Sequence, residues 1–516
     1  MSNKPAIKNS KFNQKSQKTK LRARFAPSPT GFLHIGGART ALFNYLFAKR
    51  NKGDFLLRIE DTDRERFMPD APDDIKKNLE WLGIKWDEKP VIQSRRLSIY
   101  KKYAEELIKK DGAYYCFCSE ERLKKTREEQ TAKKIAPMYD GKCRDLSKEE
   151  IKIKLEKGEK FVIRQKIPKE GAIEFIDLIR GEIKFENKIL NDSILLKSDG
   201  YPTYHLANVV DDHLMKITHV IRAEEWLSSA PKHILLYKIF GWIQPKFAHI
   251  PLILGTDRSK LSKRRGATSM TEYRQLGYLP ETLINFMVLL GWNPGGEKEI
   301  FNLKELIKEF SLEKVQKSGA VFNIEKLDWL NGYYIREMTI DKLTALCEPY
   351  LKSQISNLKS QNHNLKLKTS YLKRIIALEQ PRLKKLSEIW EKTDYFFEEP
   401  QYDKELLRWK NMTNEEIKSA LEDAKKIIKR LPTTDYRLPT IEKIFLKEAE
   451  KFKDRGELFW PLRVALSGKK ASPGPFEIAA ILGKKEALKR ISNAELKVDS
   501  HRTDSNVVLK LQKFDI

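Results

Sequence analysis

Residues 21–63 carry the pattern that most constrains the fold. Leu21, Ala23 and Phe25 alternate with two arginines, and this period of two predicts a strand. A loop rich in proline and glycine follows, and the apolar residues after it recur at helical spacing. Residues 55–63 then predict a second strand. A strand, a helix and a strand in this order form a βαβ unit, which predicts a parallel sheet.

Two further apolar runs, at residues 217–226 and 247–255, predict buried strands that complete a doubly wound sheet. Between the two halves, residues 98–201 have their own helical and β-like patterns, and we interpret them as an inserted α+β domain. Beyond residue 266 the apolar spacing is that of helices, so the C-terminal third is predicted to be all-α. The predicted fold class is a multidomain α/β protein with a Rossmann-type parallel sheet.

The charge of the chain limits its partners. Its 516 residues include 99 basic and 72 acidic side chains, for a formal net charge of +27. Such an excess attracts polyanions, which makes nucleic acid the leading class of partner. The alternative is a solvated, lysine-rich surface, and charge alone does not decide between the two.

The sequence also predicts a cellular compartment. No run approaches the ~20 apolar residues of a membrane span, and we expect no membrane partner. The first 20 residues lack the apolar block of a secretory signal, and four cysteines are too few for a disulfide framework in a chain of this length. We therefore expect a cytoplasmic protein.

The loop between the first strand and the first helix is a candidate phosphate site. Residues 24–40, RFAPSPTGFLHIGGART, hold two prolines and three glycines. Free N–H groups at a helix N-terminus bind phosphate, and glycine lets a ligand approach the backbone closely. We expect the ring of His34 to face these phosphates. The alternative is a surface or capping histidine.

A second loop, TDRSKLSKRRGATS at residues 256–269, follows the last predicted strand and carries Lys260, Lys263, Arg264 and Arg265. A basic loop at the carboxyl end of a strand can close over a triphosphate. The alternatives are a solvated turn and a basic localisation patch. Together the two loops predict a nucleotide site above one edge of the sheet.

Four segments in order resemble a known family: PSPTGFLHIGG, RIEDTDRER, DGYPTYHLANVVDDHLMKITHVIRAEEW and KLSKR. They are similar to the class I glutamyl-tRNA synthetases of bacterial type, whose two ATP-binding motifs correspond to HIGG and KLSKR. The resemblance extends from about residue 21 to about residue 491. Gly37, Leu261 and Arg264 differ from the general class I motifs, and these variants occur within the glutamyl branch.

The resemblance implies that the protein activates L-glutamate with ATP and transfers it to the 3′ end of tRNA. Its partners would be tRNA, ATP with Mg²⁺, and L-glutamate, and we expect a monomer. Catalysis would rely on positioning and preorganised charge rather than on a nucleophilic side chain. The sequence leaves open whether tRNA(Gln) is charged as well as tRNA(Glu).

The resemblance also implies site residues. In glutamate binding, Arg24 and Arg222 would clamp carboxylate and Glu60 would accept from the ammonium group. The glutamate candidates are Arg24, Ser28, Glu60, Tyr204, Asn208 and Arg222. The ATP candidates are His34, Gly36, Gly37, Glu225, Trp226, Lys260 and Lys263, with His34, Lys260 and Lys263 as the catalytic candidates. For Tyr204 and Glu60, the alternative is core packing or a structural ion pair.

Two weaker candidates come from the same resemblance. Cys116, Cys118 and Cys143 resemble a zinc site of some relatives, with Asp145 where those relatives have a histidine. The alternative is three reduced thiols in a small hydrophobic patch. Arg382 stands near the position at which some relatives use an arginine to judge the third base of the anticodon. The helices that contain RLKKL and AKKIIKR are expected to contact RNA backbone.

The predicted segments follow from these assignments. They are a disordered basic arm (1–20), the first half of the catalytic domain (21–97), an inserted acceptor-end-binding domain (98–201), the second catalytic half (202–258), the KLSKR loop with a stem-contact domain (259–340), a helical anticodon-binding region (341–495) and a tail (496–516).

Two other functions compete with a synthetase. An enzyme of the same fold that glutamylates a modified base in tRNA would lack the anticodon-binding third, and the length of the chain argues against it. A noncatalytic tRNA-binding protein on a synthetase fold would be expected to lose Arg24, His34 or Lys263, and all three are present.

Overall fold

The computed structural model describes residues 20–261, 269–356, 368–432 and 435–499. The described residues up to 275, together with 279–327, form one compact unit, and residues 276–278, together with those from 328 onward, form a second. Every strand among the described residues lies in the first unit.

The first unit is built on a seven-stranded sheet. The strands of the described residues are β1 (Arg22–Phe25), β2 (Asp54–Ile59), β3 (Val91–Ile92), β4 (Ala113–Cys116), β5 (Val162–Gln165), β6 (Ala172–Asp177), β7 (Gly181–Glu186), β8 (Ile194–Leu196), β9 (His219–Ala223), β10 (Lys246–Ile250), β11 (Ile253–Leu254) and β12 (Ala320–Val321). The main sheet has the order β3-β2-β1-β9-β10-β6-β7. Its neighbours pair in parallel, except that β6 and β7 are antiparallel. The predicted doubly wound parallel sheet is confirmed.

Helices surround this sheet and make up most of the second unit. In chain order they are α1 (Ile35–Arg50), α2 (Ala71–Trp81), α3 (Leu97–Lys109), α4 (Glu120–Ala132), α5 (Lys148–Glu156), α6 (Tyr204–Leu214), α7 (Ala230–Phe240), α8 (Met270–Gln275), α9 (Pro280–Leu289), α10 (Leu303–Glu309), α11 (Ile324–Arg336), α12 (Ile340–Ile355), α13 (Thr369–Glu379), α14 (Ile389–Thr393), α15 (Asn414–Arg430), α16 (Leu438–Ala449), α17 (Gly456–Ser467), α18 (Pro475–Leu482) and α19 (Lys484–Asp499). No helix in the described part of the chain combines the length and apolar character that crossing a membrane requires.

The first helix begins where the glycine loop ends. His34 is the N-cap residue of α1, and its Nδ1 accepts a hydrogen bond from the N–H of Gly37 at 3.1 Å. Farther along, Asn44 Nδ2 donates to the backbone carbonyl of Ile221 at 2.9 Å, which ties the helix to β9. Because α1 follows β1, its N-terminus opens at the carboxyl edge of the sheet.

Residues 98–201, predicted as an insertion, are divided between two sheets. β4, β5 and β8 form a separate antiparallel sheet, whereas β6 and β7 extend the main sheet beyond β10. Ile173 and Phe175 on β6, and Ile183 and Phe185 on β7, pack against the core that β10 also lines. This apolar face explains why the hairpin belongs to the main sheet.

Amphipathic spacing builds the helices of the second unit, and α15 is an example. Ile417, Leu421, Ala424 and Ile428 are buried at intervals of three or four residues. Thr413 caps the N-terminus in a capping box, and two basic residues occupy the last turn, where they complement the helix dipole. Sequence alone therefore sufficed to predict this helix.

The helix predicted through RLKKL is not continuous. α13 ends at Glu379, and Gln380–Arg382 form a 3-10 turn. Pro381 lacks the N–H that a continuing helix needs, and its ring would clash with the carbonyl four residues earlier. Arg382 therefore lies on a turn rather than on a helix.

A close backbone approach in the second unit requires glycine at position 277. The φ angle of Gly277 is 82°, and a Cβ there would lie 2.6 Å from the backbone nitrogens of Leu386 and Ser387. The N–H of Leu386 also donates to the carbonyl of Gly277 at 3.1 Å. This contact joins residues 276–278 to the helical unit.

We expect Gly277→Ala to lower the free energy of unfolding by roughly 2–5 kcal/mol, because it adds a steric clash to the cost of a positive φ. Gly241→Ala is the matched control, since its φ is 74° but nothing lies within 4 Å of an added Cβ. Its loss should be about 1–2 kcal/mol. Urea unfolding followed by circular dichroism measures both, and equal losses would contradict the role assigned to the contact.

Candidate active site

Buried polar side chains gather at the carboxyl edge of the central strands. Arg24 lies on β1, Arg58 on β2 and Arg222 on β9, and these three strands are neighbours in the order β2-β1-β9. Helix α6 adds three polar residues at intervals of four, a spacing that puts them on one helical face. They are Tyr204, Asn208 and Asp212.

Arg24 is held by a carboxylate from α6. Its Nε donates to Asp212 Oδ1 at 2.9 Å, and its Nη2 donates to Asp212 Oδ2 at 3.2 Å, which is a bidentate pair. Nη2 also donates to Asn208 Oδ1 at 3.1 Å. Arg24 is 3% exposed. Within the described residues its Nη1 makes no hydrogen bond, so that nitrogen is the one left for a ligand.

Arg58 is a second guanidinium on the same carboxylate. Its Nη1 donates to Asp212 Oδ1 at 2.7 Å, and its Nη2 donates to Asn208 Oδ1 at 2.9 Å and to Glu60 Oε1 at 3.0 Å. Burial acts to raise the pKa of Asp212, but Arg24 and Arg58 outweigh it and hold that pKa below its ordinary value. Burial raises the pKa of Glu60 despite the nearby guanidiniums.

Arg222 is surrounded by neutral acceptors. Its Nε donates to His249 Nε2 at 3.0 Å, and its Nη1 donates to Tyr204 Oη at 2.9 Å and to His233 Nδ1 at 3.3 Å. Its Nη2 donates to the carbonyl of Trp226 at 3.2 Å. Burial lowers the pKa of His233 well below its ordinary value, and the charge of Arg222 lowers it further. No carboxylate of the described residues pairs with Arg222, so its positive charge remains available.

Further contacts join the two arginine environments. Asn208 Nδ2 lies 3.4 Å from His233 Nδ1, and Ser28 Oγ donates to the backbone carbonyl of Glu60 at 3.1 Å. The six glutamate candidates thus lie in one continuous hydrogen-bond network. They are Arg24, Ser28, Glu60, Tyr204, Asn208 and Arg222.

The ATP candidates of the first loop lie at the start of α1. His34 is exposed and acts as the capping residue that the sequence left open as an alternative. Gly36 and Gly37 form the first turn, and a Cβ on Gly36 would lie 3.1 Å from the ring of His34. The glycines therefore keep the imidazole and the helix N-terminus close together.

The remaining ATP candidates follow β9 and β11. Lys260 forms an ion pair with Glu225, and the two side chains are 62% and 44% exposed. The ring centroid of Trp226 lies 4.2 Å from that of Tyr204, so this half-exposed indole borders the glutamate network. Lys263 lies outside the described residues.

The three clustered cysteines come together. The sulfurs of Cys116, Cys118 and Cys143 lie within 4.8 Å of one another. Asp145 is exposed and is not part of this group. The oxygen at the sulfurs is instead Tyr139 Oη, at 3.4 Å from Cys116 and 3.5 Å from Cys118. A hydrogen bond with Cys143 lowers the pKa of Cys116, which favours a thiolate within the group.

Arg382 lies in the second unit and is 31% exposed along its side chain. Its Nη2 donates to the carbonyl of Ala471 at 3.0 Å, and its Nη1 lies 3.5 Å from Oε1 of the buried Glu379. The guanidinium is therefore held at the surface by contacts to its own unit.

Sequence reasoning missed several residues of the network. Arg58 lies inside the apolar run FLLRI. Because an unpaired charge would be costly there, this position indicates that Arg58 has a buried partner. Asp212 lies four residues after Asn208 on α6, which was a second signal. The histidines at 233 and 249 lie in otherwise apolar runs, and no spacing connects them to the site.

Comparison with known proteins decides the family. The family described as class I tRNA synthetases (E and Q), catalytic domain, matches residues 20–329, and an anticodon binding domain matches residues 342–495. The chain belongs to the class I tRNA synthetases of the glutamate and glutamine type. The predicted family and the predicted all-α anticodon-binding region are confirmed.

Individual relatives agree with this assignment. The glutamate–tRNA ligase of Dehalococcoides mccartyi strain CBDB1 is 47% identical over 483 residues, which is 92% of this chain and 97% of that protein. Glutamate–tRNA ligase 2 of Thermoanaerobacter pseudethanolicus is 45% identical over 478 residues, which is 92% of this chain and 98% of that protein. The crystal structure of a glutamate tRNA ligase from Elizabethkingia meningosepticum in complex with its amino acid superposes with a TM-score of 0.81 at 38% identity, covering 93% of this chain and 100% of that chain. The noncatalytic alternative finds no support among them.

We expect Asp212→Asn to lower the free energy of unfolding by roughly 3–5 kcal/mol, because the buried guanidiniums of Arg24 and Arg58 lose the carboxylate that they share. Since its pKa is lower in the folded state than in the unfolded chain, Asp212 stabilises the protein fully above about pH 4. That contribution is lost as pH falls through the folded pKa. Acidification should therefore destabilise the wild type more than the variant, as measured by urea unfolding at several pH values.

The control for this substitution is Asp73→Asn, which removes an exposed ion pair with Lys76. Surface pairs of this kind contribute little to stability. A similar effect of the two substitutions would contradict the role assigned to Asp212.

Proposed function

We propose that this protein is a glutamate–tRNA ligase that converts L-glutamate and ATP to glutamyl-adenylate and then transfers the glutamyl group to the 3′ end of tRNA. The observation that carries the proposal is the single hydrogen-bond network of Arg24, Glu60 and Arg222 with their neighbours at the carboxyl edge of the sheet. Relatives that are 43–47% identical and named glutamate–tRNA ligase support it.

The unused donors and acceptors of the network match glutamate. A guanidinium has five N–H groups, and Arg222 uses four of them within the protein, which leaves one at Nη2. Arg24 keeps both N–H groups of Nη1. These donors and the charge of Arg222 suit the carboxylates of the substrate. Glu60 Oε1 accepts only from Arg58 among the described residues, and Oε2 is left to accept from the ammonium group.

The nucleotide would lie beside this pocket. We assign the phosphates to the N-terminus of α1 with His34, Gly36 and Gly37, because the positive end of the helix dipole attracts an anion. Trp226 and Glu225 border the adenosine, and Lys260 and Lys263 of the second loop supply positive charge. Lys260 would then exchange its ion pair with Glu225 for a phosphate.

The reaction depends on the positions of the two substrates and on nearby positive charge, and it needs no nucleophilic side chain of the protein. A carboxylate oxygen of glutamate attacks the α-phosphorus of ATP, a P–O bond forms, and pyrophosphate leaves with the electrons of the broken bond. The terminal hydroxyl of tRNA then attacks the carbonyl carbon, and AMP leaves. The arginines hold the two carboxylates of glutamate, and the lysines stabilise charge that develops on the phosphates. Mg²⁺ bound with ATP would neutralise part of the phosphate charge.

The second unit would bind the anticodon arm of tRNA. An all-α region that matches an anticodon binding domain and a net charge of +27 support this assignment. Arg382 remains our candidate for an anticodon contact, since it is partly exposed on a turn. Aminoacylation assays with tRNA(Glu) and tRNA(Gln) transcripts define the acceptor range. We further propose a monomer that works in the cytoplasm.

We expect glutamate-dependent exchange between ATP and pyrophosphate when tRNA is present. Arg222→Lys should raise the KM for glutamate about tenfold or more and leave the KM for ATP within about twofold, because a lysine cannot reproduce the fork of donors. Lys76→Ala, at an exposed ion pair on α2, is the control and should change neither constant. Absence of exchange both with and without tRNA would refute the proposed activity.

We also propose that the thiols of Cys116, Cys118 and Cys143 bind zinc. The donor set fits, because three sulfurs within 4.8 Å and one oxygen, the hydroxyl of Tyr139, offer four ligands for a tetrahedral ion. Zinc would fix the sulfurs in place and so support the sheet of β4, β5 and β8, where Cys116 ends β4.

We expect protein purified without added metal to contain a stoichiometric amount of zinc by atomic absorption. Cys118→Ser should lose most of that zinc because it removes a ligand, and Tyr139→Phe should weaken its retention against a chelator. Cys347→Ala, at the buried cysteine of α12, is the control and should keep the metal. A wild type that holds no zinc even after zinc is supplied would leave three reduced thiols in a hydrophobic patch.

A further inference from the structure

Arg222, His249 and Asp177 form a line across three neighbouring strands. Arg222 on β9 pairs in register with His249 on β10, and Asp177 ends β6, the next strand in the sheet. His249 Nε2 lies 3.0 Å from Arg222 Nε, and His249 Nδ1 lies 2.6 Å from Asp177 Oδ2. The side chains of His249 and Asp177 are 0% exposed. Neither residue is in the set assigned to glutamate or ATP.

These contacts determine the tautomer of the imidazole. Arg222 Nε always carries a proton and can only donate, so His249 Nε2 must be the acceptor. The ring proton is then on Nδ1, and it is donated to Asp177. Burial lowers the pKa of His249 and the charge of Arg222 lowers it further, while Asp177 raises it; the net shift is downward. The ring is therefore neutral at physiological pH.

The carboxylate of Asp177 is itself fixed. Its Oδ1 accepts from the backbone N–H groups of Ile179 and Arg180, each at 3.0 Å, and from that of His249 at 3.3 Å. With Oδ1 occupied, Oδ2 is the oxygen that faces the ring. Each contact in the line thus fixes the next: the backbone N–H groups orient the carboxylate of Asp177, the carboxylate orients the ring of His249, and the ring accepts from Arg222.

We propose that Asp177 and His249 are positioning residues that orient Arg222 for the carboxylate of glutamate while leaving its charge uncompensated. The inference rests on the proposed role of Arg222 in binding glutamate. A carboxylate in direct contact would orient the guanidinium equally well but would compete with the substrate. The neutral imidazole supplies the acceptor without that competition, in contrast to the Asp212 contact of Arg24.

Asp177→Asn tests the tautomer. The amide oxygen must take the place of Oδ1 at the backbone donors, which turns the NH₂ group toward His249 Nδ1. The ring proton then moves to Nε2 and faces the N–H of Arg222, so two donors oppose each other. We expect the KM for glutamate to rise about tenfold or more, with the KM for ATP and kcat within about twofold.

Replacing the ring separates positioning from packing. In His249→Gln the side-chain oxygen can accept from Arg222, so the KM for glutamate should stay below that of His249→Leu, which has no acceptor. Asp177→Asn should add little in the His249→Gln background, because no tautomer remains to be set. His213→Asn, at a ring stacked 3.7 Å from Trp242, is the control and should leave the KM unchanged.

The outcomes are distinct. An unchanged KM for glutamate in Asp177→Asn, or equal values for the Gln and Leu variants at position 249, would overturn the inference. Should Asp177→Asn fail to fold, the comparison of the two position-249 variants decides alone. If Arg222→Lys leaves the KM for glutamate unchanged, the assignment of Arg222 fails, and with it the proposed function of this pocket rather than the line of contacts alone.

Discussion

Two guanidiniums share one buried carboxylate at the carboxyl edge of the sheet. Arg24 and Arg58 both bind Asp212, and an unpaired charge at this depth would cost several kcal/mol. The shared carboxylate therefore fixes α6 against β1 and β2. Because Asn208 lies one turn earlier and Tyr204 one turn before that, this contact also helps to position the face that meets Arg222.

Charge is distributed unevenly around the three arginines. Arg24 and Arg58 are balanced inside the protein by Asp212 and Glu60, whereas Arg222 hydrogen-bonds only to imidazole, phenol and carbonyl groups among the described residues. Arg222 is thus a buried cation without a carboxylate partner among the described residues, and under the proposed function its counter-ion would be the substrate. An amino acid with a neutral side chain would leave part of that charge unpaired.

Sequence patterns predicted parts of the fold, and the family resemblance predicted the site residues. The periodicities of residues 21–63 were enough for the βαβ unit, and the resemblance supplied the six glutamate candidates. Alternation within a strand does not identify its partner strand, so the hairpin of β6 and β7 was assigned to the insertion. The resemblance placed Asp145 at the cysteines, whereas the oxygen at the sulfurs is that of Tyr139, four residues before Cys143. The line from Asp177 to Arg222 depends on strands distant in sequence, and no local pattern reveals it.

The hairpin of β6 and β7 belongs to the main sheet, so residues 98–201 are not an independent domain that can be removed as a whole. A minimal enzyme built by excising residues 98–201 would remove two strands of the main sheet and leave β10 as an unprotected edge. It would also remove Asp177, the last member of the line behind Arg222. An engineered shortening of the chain that preserves the main sheet and the contacts of Arg222 would therefore keep residues 172–186.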